Sequence, residues 1–218
     1  MILKTIRVTG TATLRLSPDV AVVTMTLQGM EPEYSAALSR ASREADTLRA
    51  ALEQLDFKPE ELKTRSFFVN AEYESYEEAG VWKQRLAGYR FEHALKVSFA
   101  LDHERLGAVL TAAANSAVSP MLQISYVLRD PESAKKTLLT AAVADAKEKA
   151  EILAEASGVA LLALQSVEHT TGEPSFDNLP MHRLDAPMAA KASISMNIEP
   201  DDIAITDSVT CVWEMEQA

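Results

Sequence analysis

The chain has 218 residues, 47% of them apolar, enough to bury a sizeable core. Its formal charge of −11 and isoelectric point near 4.9 give a surface that repels phosphate backbones and anionic membranes, so nucleic acid is not expected as a partner. The single cysteine, Cys211, excludes an intrachain disulfide and any CxxC metal pair, and no window approaches the ~20 apolar residues of a membrane-spanning helix.

Period-two alternation comes first in chain order. Ile6, Val8, Ala12, Leu14 and Leu16 share one side of a strand, and Ala21, Val23, Met25 and Leu27 share one side of the next. Ser17-Pro18-Asp19 between them predicts the turn of a long hairpin, because proline fixes φ for a turn position and Asp bonds nearby backbone N–H groups. A functional carboxylate at Asp19 is the lesser reading. Tyr34, Leu38, Ala41, Ala45, Leu48, Leu52 and Leu55 then keep one stripe on a helix from about Glu33 to Leu55. Three heptads containing several alanines favour packing onto a sheet over a coiled-coil seam.

From Lys63 to Leu101 the chain reads as a second long hairpin, turning at Glu77-Glu78-Ala79-Gly80, with Gly88 marking a bulge or a close approach. It holds eight of the thirteen aromatic residues, interleaved with Lys63, Arg65, Lys83, Arg85, Arg90 and Lys96. A platform for single-stranded nucleic acid would show such interleaving. Here Glu72, Glu74, Glu77, Glu78 and Glu92 nearly cancel the charge, so cross-strand packing or a protein-contact surface around Tyr76 and Trp82 is the expectation.

Asp102 caps a helix carrying Leu106, Val109, Leu110 and Ala113, and Leu122 to Leu128 form a strand. Asp130-Pro131-Glu132 opens a helix that stops at Gly158, with Glu132/Lys136, Asp145/Lys149 and Lys147/Glu151 on its solvated face. A strand near Leu164 to Thr170 follows. Residues 171–190, with three prolines and with His182 and Arg183, lack periodicity and read as a long loop. The ending repeats the opening's design: Ala192, Ile194, Met196 and Ile198 on one strand, Glu199-Pro200-Asp201-Asp202 at a turn, and a last strand through Val209, Cys211, Trp213 and Met215.

The order of these residues resembles the SIMPL-domain family, which includes bacterial periplasmic immunogenic proteins and a mammalian kinase-associated signalling adaptor. The resemblance spans nearly the whole chain and rests on "VTGTATLRLSPDVAVVTMTL", "LAGYRFEHALKV", "AVADAKEKAEILAEASGV" and "IEPDDIAITDSVTCVW". His93 stands where many members carry Asn, and "ANSAVSPMLQISYVL" runs longer than the usual link. The resemblance implies an α+β fold with antiparallel strands and packed helices, self-assembly, an envelope or stress association, and no established enzymatic activity.

The expectation is therefore one SIMPL-like α+β domain over 1–218, with long antiparallel β-hairpins packed against about three helices. No phosphate loop, HExxH or GxSxG occurs, and His93, His103, His169 and His182 lack ligand spacing, so no catalytic residue, cofactor or metal is expected. The first strand begins almost at Met1 without a leader pattern, which gives a cytoplasmic expectation although many relatives are exported. The functional expectation is a non-enzymatic self-assembling or adaptor protein, a homo-oligomer with a possible interaction surface at Tyr76 and Trp82. Its alternative is a small-molecule-binding protein or enzyme with a site under the 171–190 loop.

Overall fold

A computed structural model describes residues 4–169, 182–183 and 199–217. The predicted strand at 192–198 and all of the 171–190 loop except His182 and Arg183 lie outside these residues. The elements run β1 (Thr5–Leu16), β2 (Val20–Glu31), α1 (Tyr34–Glu53), β3 (Lys63–Glu78), β4 (Val81–Ala100), α2 (His103–Asn115), β5 (Met121–Val127), α3 (Pro131–Ala156), β6 (Val159–His169), β7 (His182–Arg183) and β8 (Ile203–Gln217). The α+β class is as the sequence predicts: two antiparallel sheets and three helices. The chain divides into two compact units, each assembled from separated stretches.

The first unit is a three-stranded sheet, ordered β1-β8-β6, with α3 along it. Helix α3 starts where Asp130 accepts the Ser133 N–H at 2.9 Å, carries Pro131 in its first turn, and gives way at Gly158, whose φ of 65° suits glycine. Its buried residues are Ala134, Leu138, Ala142, Ala146, Ala150 and Ala154, a stripe at four-residue spacing made almost entirely of methyl groups. Such a stripe admits a strand to the helix backbone. Val8, Val209, Cys211 and Trp213 fill the core against it, with Ile203 and Ile205 around Leu138. On the opposite face of the sheet, threonines pair across strands, Thr9 with Thr210 at 2.9 Å and Thr13 with Thr206 at 2.8 Å. Helix α3 also blunts the outer edge of β1: the Thr11 N–H donates to Asp145 at 2.7 Å, and Asp145 is ion-paired to Lys149 at 2.6 Å. The predicted Lys147/Glu151 pair forms at 3.7 Å, whereas Glu132 takes Lys135 at 3.0 Å.

The predicted β1–β2 hairpin does not form. Strand β1 pairs with β8, from Thr5 opposite Glu214 to Leu16 opposite Ile203, while β2 lies in the other sheet between β4 and β5. Alternation reports which side chains share a face, not which strand is the neighbour. Nearly continuous apolarity in "VAVVTMTL" is the mark of a central strand with two neighbours, and β2 buries Ala21, Val23, Met25 and Leu27 on one face and Thr24 on the other. Pro18, which has no N–H to give a ladder, stands where the chain changes sheets. Asp19 then resumes pairing through its backbone, its N–H donating to Val127 O at 3.3 Å and its C=O accepting from Leu101 N at 2.9 Å. The two Pro-Asp segments flank the same end of the β1–β8 pair, where the Ser17 hydroxyl donates to Asp202 at 2.7 Å.

The second unit is the sheet β3-β4-β2-β5-β7, in which β7 is a two-residue addition to the edge of β5. Helix α1 packs on β2 and β4 through Ala37, Ala41, Ala45, Leu48 and Leu52, and α2 packs beside it through Leu106, Val109, Leu110 and Ala113. The observed stripe of α1 includes Ala37, while Tyr34 and Leu38 from the predicted stripe stay exposed at its rim. Asp102 caps α2 as predicted, accepting from the Arg105 N–H at 2.9 Å. The Arg105 guanidinium lies over Phe57, 4.3 Å from the ring centroid.

Candidate interaction surface

The predicted middle hairpin is present, and its register decides what its aromatics do. The loop has two residues, Ala79 and Gly80, both with positive φ (53° and 76°), the backbone that matches the right-handed twist of paired strands. The expected bulge is also present: Glu72 faces Gly88 and Tyr73 faces Leu86, leaving Ala87 extra. Gly88 is a close approach as well, since a Cβ there would stand 2.7 Å from the Glu31 carbonyl oxygen.

Strand β2 ends at Glu31, opposite Tyr89. Beyond that point β3 and β4 pair only with each other among the described residues, forming a two-stranded arm over residues 72–88. Eight residues of β4 at ~3.3 Å each make it about 26 Å long. Tyr34, the first residue of α1, meets Tyr89 edge-on with centroids 5.6 Å apart and marks the root of the arm.

Directly opposed residues share a face. One face of the arm therefore holds Tyr73, Ser75 and Glu77 with Leu86, Gln84 and Trp82, and the other holds Glu74, Tyr76 and Glu78 with Arg85, Lys83 and Val81. The two residues predicted to form one surface, Tyr76 and Trp82, point to opposite sides. Trp82 is 71% exposed, Tyr73 62% and Leu86 45%, on a face that carries no basic residue. Tyr76 lies half-buried among charges: the Arg85 guanidinium sits 5.3 Å from its ring centroid, Arg85 also pairs with Glu74, and Lys83 pairs with Glu78. A two-residue loop at Ala79-Gly80, in place of the four-residue turn, would have placed Tyr76 opposite Lys83 from sequence alone and revealed Tyr73 and Leu86 as Trp82's companions.

The remaining candidates separate. His93 is 9% exposed in the sheet core, where its Nε2 shares a hydrogen bond of 2.9 Å with Thr64 Oγ1 and its ring meets Phe67 edge-on at 5.0 Å. Burial lowers its pKa below the ordinary 6.5, the nearby Arg49 charge adds to this, and the Ala41 backbone opposes it. His103 begins α2. His169, at the end of β6, contacts both carboxylate oxygens of Asp207 at 3.0 and 3.1 Å, a pair that no local signal matches across strands. His182 lies in β7 beside Ile124. Cys211 is fully buried, and burial pushes its thiol pKa up, so it is a core residue of the kind its alternating run predicts. Among the described residues no group of three or more His, Cys, Asp or Glu is placed to hold a metal ion, and no helix is long and apolar enough to cross a membrane.

Comparison with known proteins matches residues 6–213 to the SIMPL family, described as "Protein of unknown function (DUF541)". The chain is also similar to the "Uncharacterized protein YggE" of Edwardsiella ictaluri (strain 93-146), with 24% identity over 210 residues that cover 95% of this chain and 85% of the relative. With a family match running from the second residue of β1 to Trp213 in β8, the chain belongs to the SIMPL family.

Proposed function

We propose that this chain is a non-enzymatic assembly protein whose β-arm seats its Trp82 face on a second copy of the chain. The observation that carries this reading is the arm itself, which exposes Trp82, Tyr73 and Leu86 on one side beyond the last strand that could pair with it. Exposed tryptophan and tyrosine are the residue types that anchor protein interfaces when a partner desolvates them. Both arm edges also keep free backbone donors and acceptors among the described residues, which a second copy's strand can pair.

Residues 63–100 hold six basic and five acidic side chains and so carry +1, leaving −12 on the rest of the molecule. The basic surplus lies in the sheet part of the hairpin: the arm over residues 72–88 sets Glu72, Glu74, Glu77 and Glu78 against Lys83 and Arg85, and on its Trp82 face Glu77 is the one charged residue, so a second copy meets one carboxylate there rather than the broad repulsion of the −11 chain.

Size-exclusion chromatography with light scattering tests the proposal. At micromolar concentration and moderate salt the chain is expected to elute with the mass of an oligomer. Trp82→Glu, a change at a position too exposed to unfold the chain, is expected to lower that mass, and Tyr76→Glu on the opposite face to leave it in place. A wild-type mass of one chain, or an oligomer indifferent to Trp82→Glu, overturns the reading.

A further inference from the structure

His93 is a buried titratable group that assembly does not use. It stands on β4 where two other elements close over the strand: β3, which presents Thr64 and Phe67, and α1, which packs on β4 and presents Arg49. On its other side, β2 places Leu27 opposite it. Thr64 takes up one ring nitrogen, Nε2. The other, Nδ1, is buried with no hydrogen-bond partner among the described residues.

A neutral imidazole fits this setting, since one nitrogen is engaged and the cost of the other is that of a single unmet polar atom. An imidazolium does not fit. Both nitrogens must then donate, Nδ1–H has no hydrogen-bond partner beyond the weak pull of the Ala41 backbone, and a positive charge is placed in a low-dielectric seam within reach of the Arg49 charge. Asp46 pairs with Arg49 at 2.7 Å, but its side chain is two-thirds exposed, so it damps that repulsion from water and not from inside the seam. Leu27 and Phe67 add no compensating charge, and Thr64 does not titrate in the relevant range.

We propose that His93 is an acid-responsive release: the neutral ring locks α1 and β3 over β4, and uptake of one proton opens that seam. The direction follows from linkage. The folded chain binds this proton less readily than the unfolded chain does, so the contribution of His93 to stability is complete above about pH 6.5 and declines as pH falls from there towards the depressed value. Each unit of depression lowers the folded-to-unfolded ratio about tenfold across that window.

The test is denaturant unfolding of the full chain at about pH 7.5 and about pH 5, with amide hydrogen exchange read at α1 and around Thr64. Acidification is expected to lower the wild-type midpoint and, once exchange is referred to the slower intrinsic rate at low pH, to lower protection in α1 and β3 ahead of the first unit. His93→Asn, which keeps a polar group for Thr64 without a titrating ring, is expected to flatten both responses. If that variant does not fold, titration of the His93 ring by NMR in the wild-type chain decides instead. Equal acid sensitivity in wild type and His93→Asn, or a ring that titrates at or above about 6.5, overturns the proposal.

Discussion

Gly10→Ala isolates the contact on which the first unit depends. Gly10 lies on the inward side of β1 between Val8 and Ala12, and a Cβ built there would stand 2.6 Å from Ala146 Cβ and closer still to the Ala142 carbonyl oxygen and the Ala146 nitrogen. Those last two atoms belong to the backbone of α3, which no rotamer change can move. Methyl groups that meet side chains in a packed core cost about 1–3 kcal/mol, and an obstacle made of helix backbone sets the cost at the upper end, about 3 kcal/mol. Removing glycine's freedom in the unfolded chain offsets at most about 1 kcal/mol of that. A net loss of about 2 kcal/mol in a protein of this size lowers the melting temperature by about 4–8 °C. Thermal unfolding followed by circular dichroism measures it. The φ of Gly10 is not in the left-handed region, so the loss would report close approach alone. A variant that melts within about 1 °C of wild type would refute a strand seated on the helix backbone at this distance.

At the sheet-changing segment, Ser17→Ala is expected to cost about 1 kcal/mol by leaving Asp202 without the hydroxyl. Asp19→Asn is expected to cost no more than that, because the backbone pairing of Asp19 survives the change; loss of several kcal/mol in urea unfolding would show that the carboxylate does more. Asp145→Ala is expected to speed hydrogen exchange at the Thr11 amide. Lys149 first, and then that amide, hold the Asp145 carboxyl below its ordinary 3.8, so its contribution is present above that pH and fades as pH falls below it; unchanged Thr11 protection in the variant contradicts the edge-capping role. Cys211 is expected to resist alkylation in the native chain and to react on unfolding. Stoichiometric labelling under native conditions would mean that the core around Ala146 and Trp213 opens.

Capping and periodicity made the helices legible. Asp130-Pro131 and Gly158 bound α3, Asp102 opens α2, and the burial of Val209, Cys211 and Trp213 follows from a period of two, because each signal involves atoms within a few residues of one another. The bulge beside Gly88 was readable for the same reason. Pairing was not local. The run that ends at Leu16 looked ready to fold back on the run that begins at Val20, and it instead pairs with a strand nearly 190 residues away, since alternation is satisfied by any partner that offers an apolar face. The same gap hid which side chains share a face of the arm. Tyr76 and Trp82 are neighbours around a turn in sequence, and a register set by two positive-φ residues sends them to opposite sides, joining Trp82 to Tyr73 and Leu86 instead. His93 shows the difference within one side chain: its strand position and inward direction were encoded by alternation in β4, whereas the missing partner at Nδ1 and the charge of Arg49 exist only because α1 and β3 close over it. Sequence determined which atoms turn inward, through short-range sterics and hydrophobicity, and tertiary structure decided what they met there, because desolvation and pairing depend on atoms that the chain brings from far away.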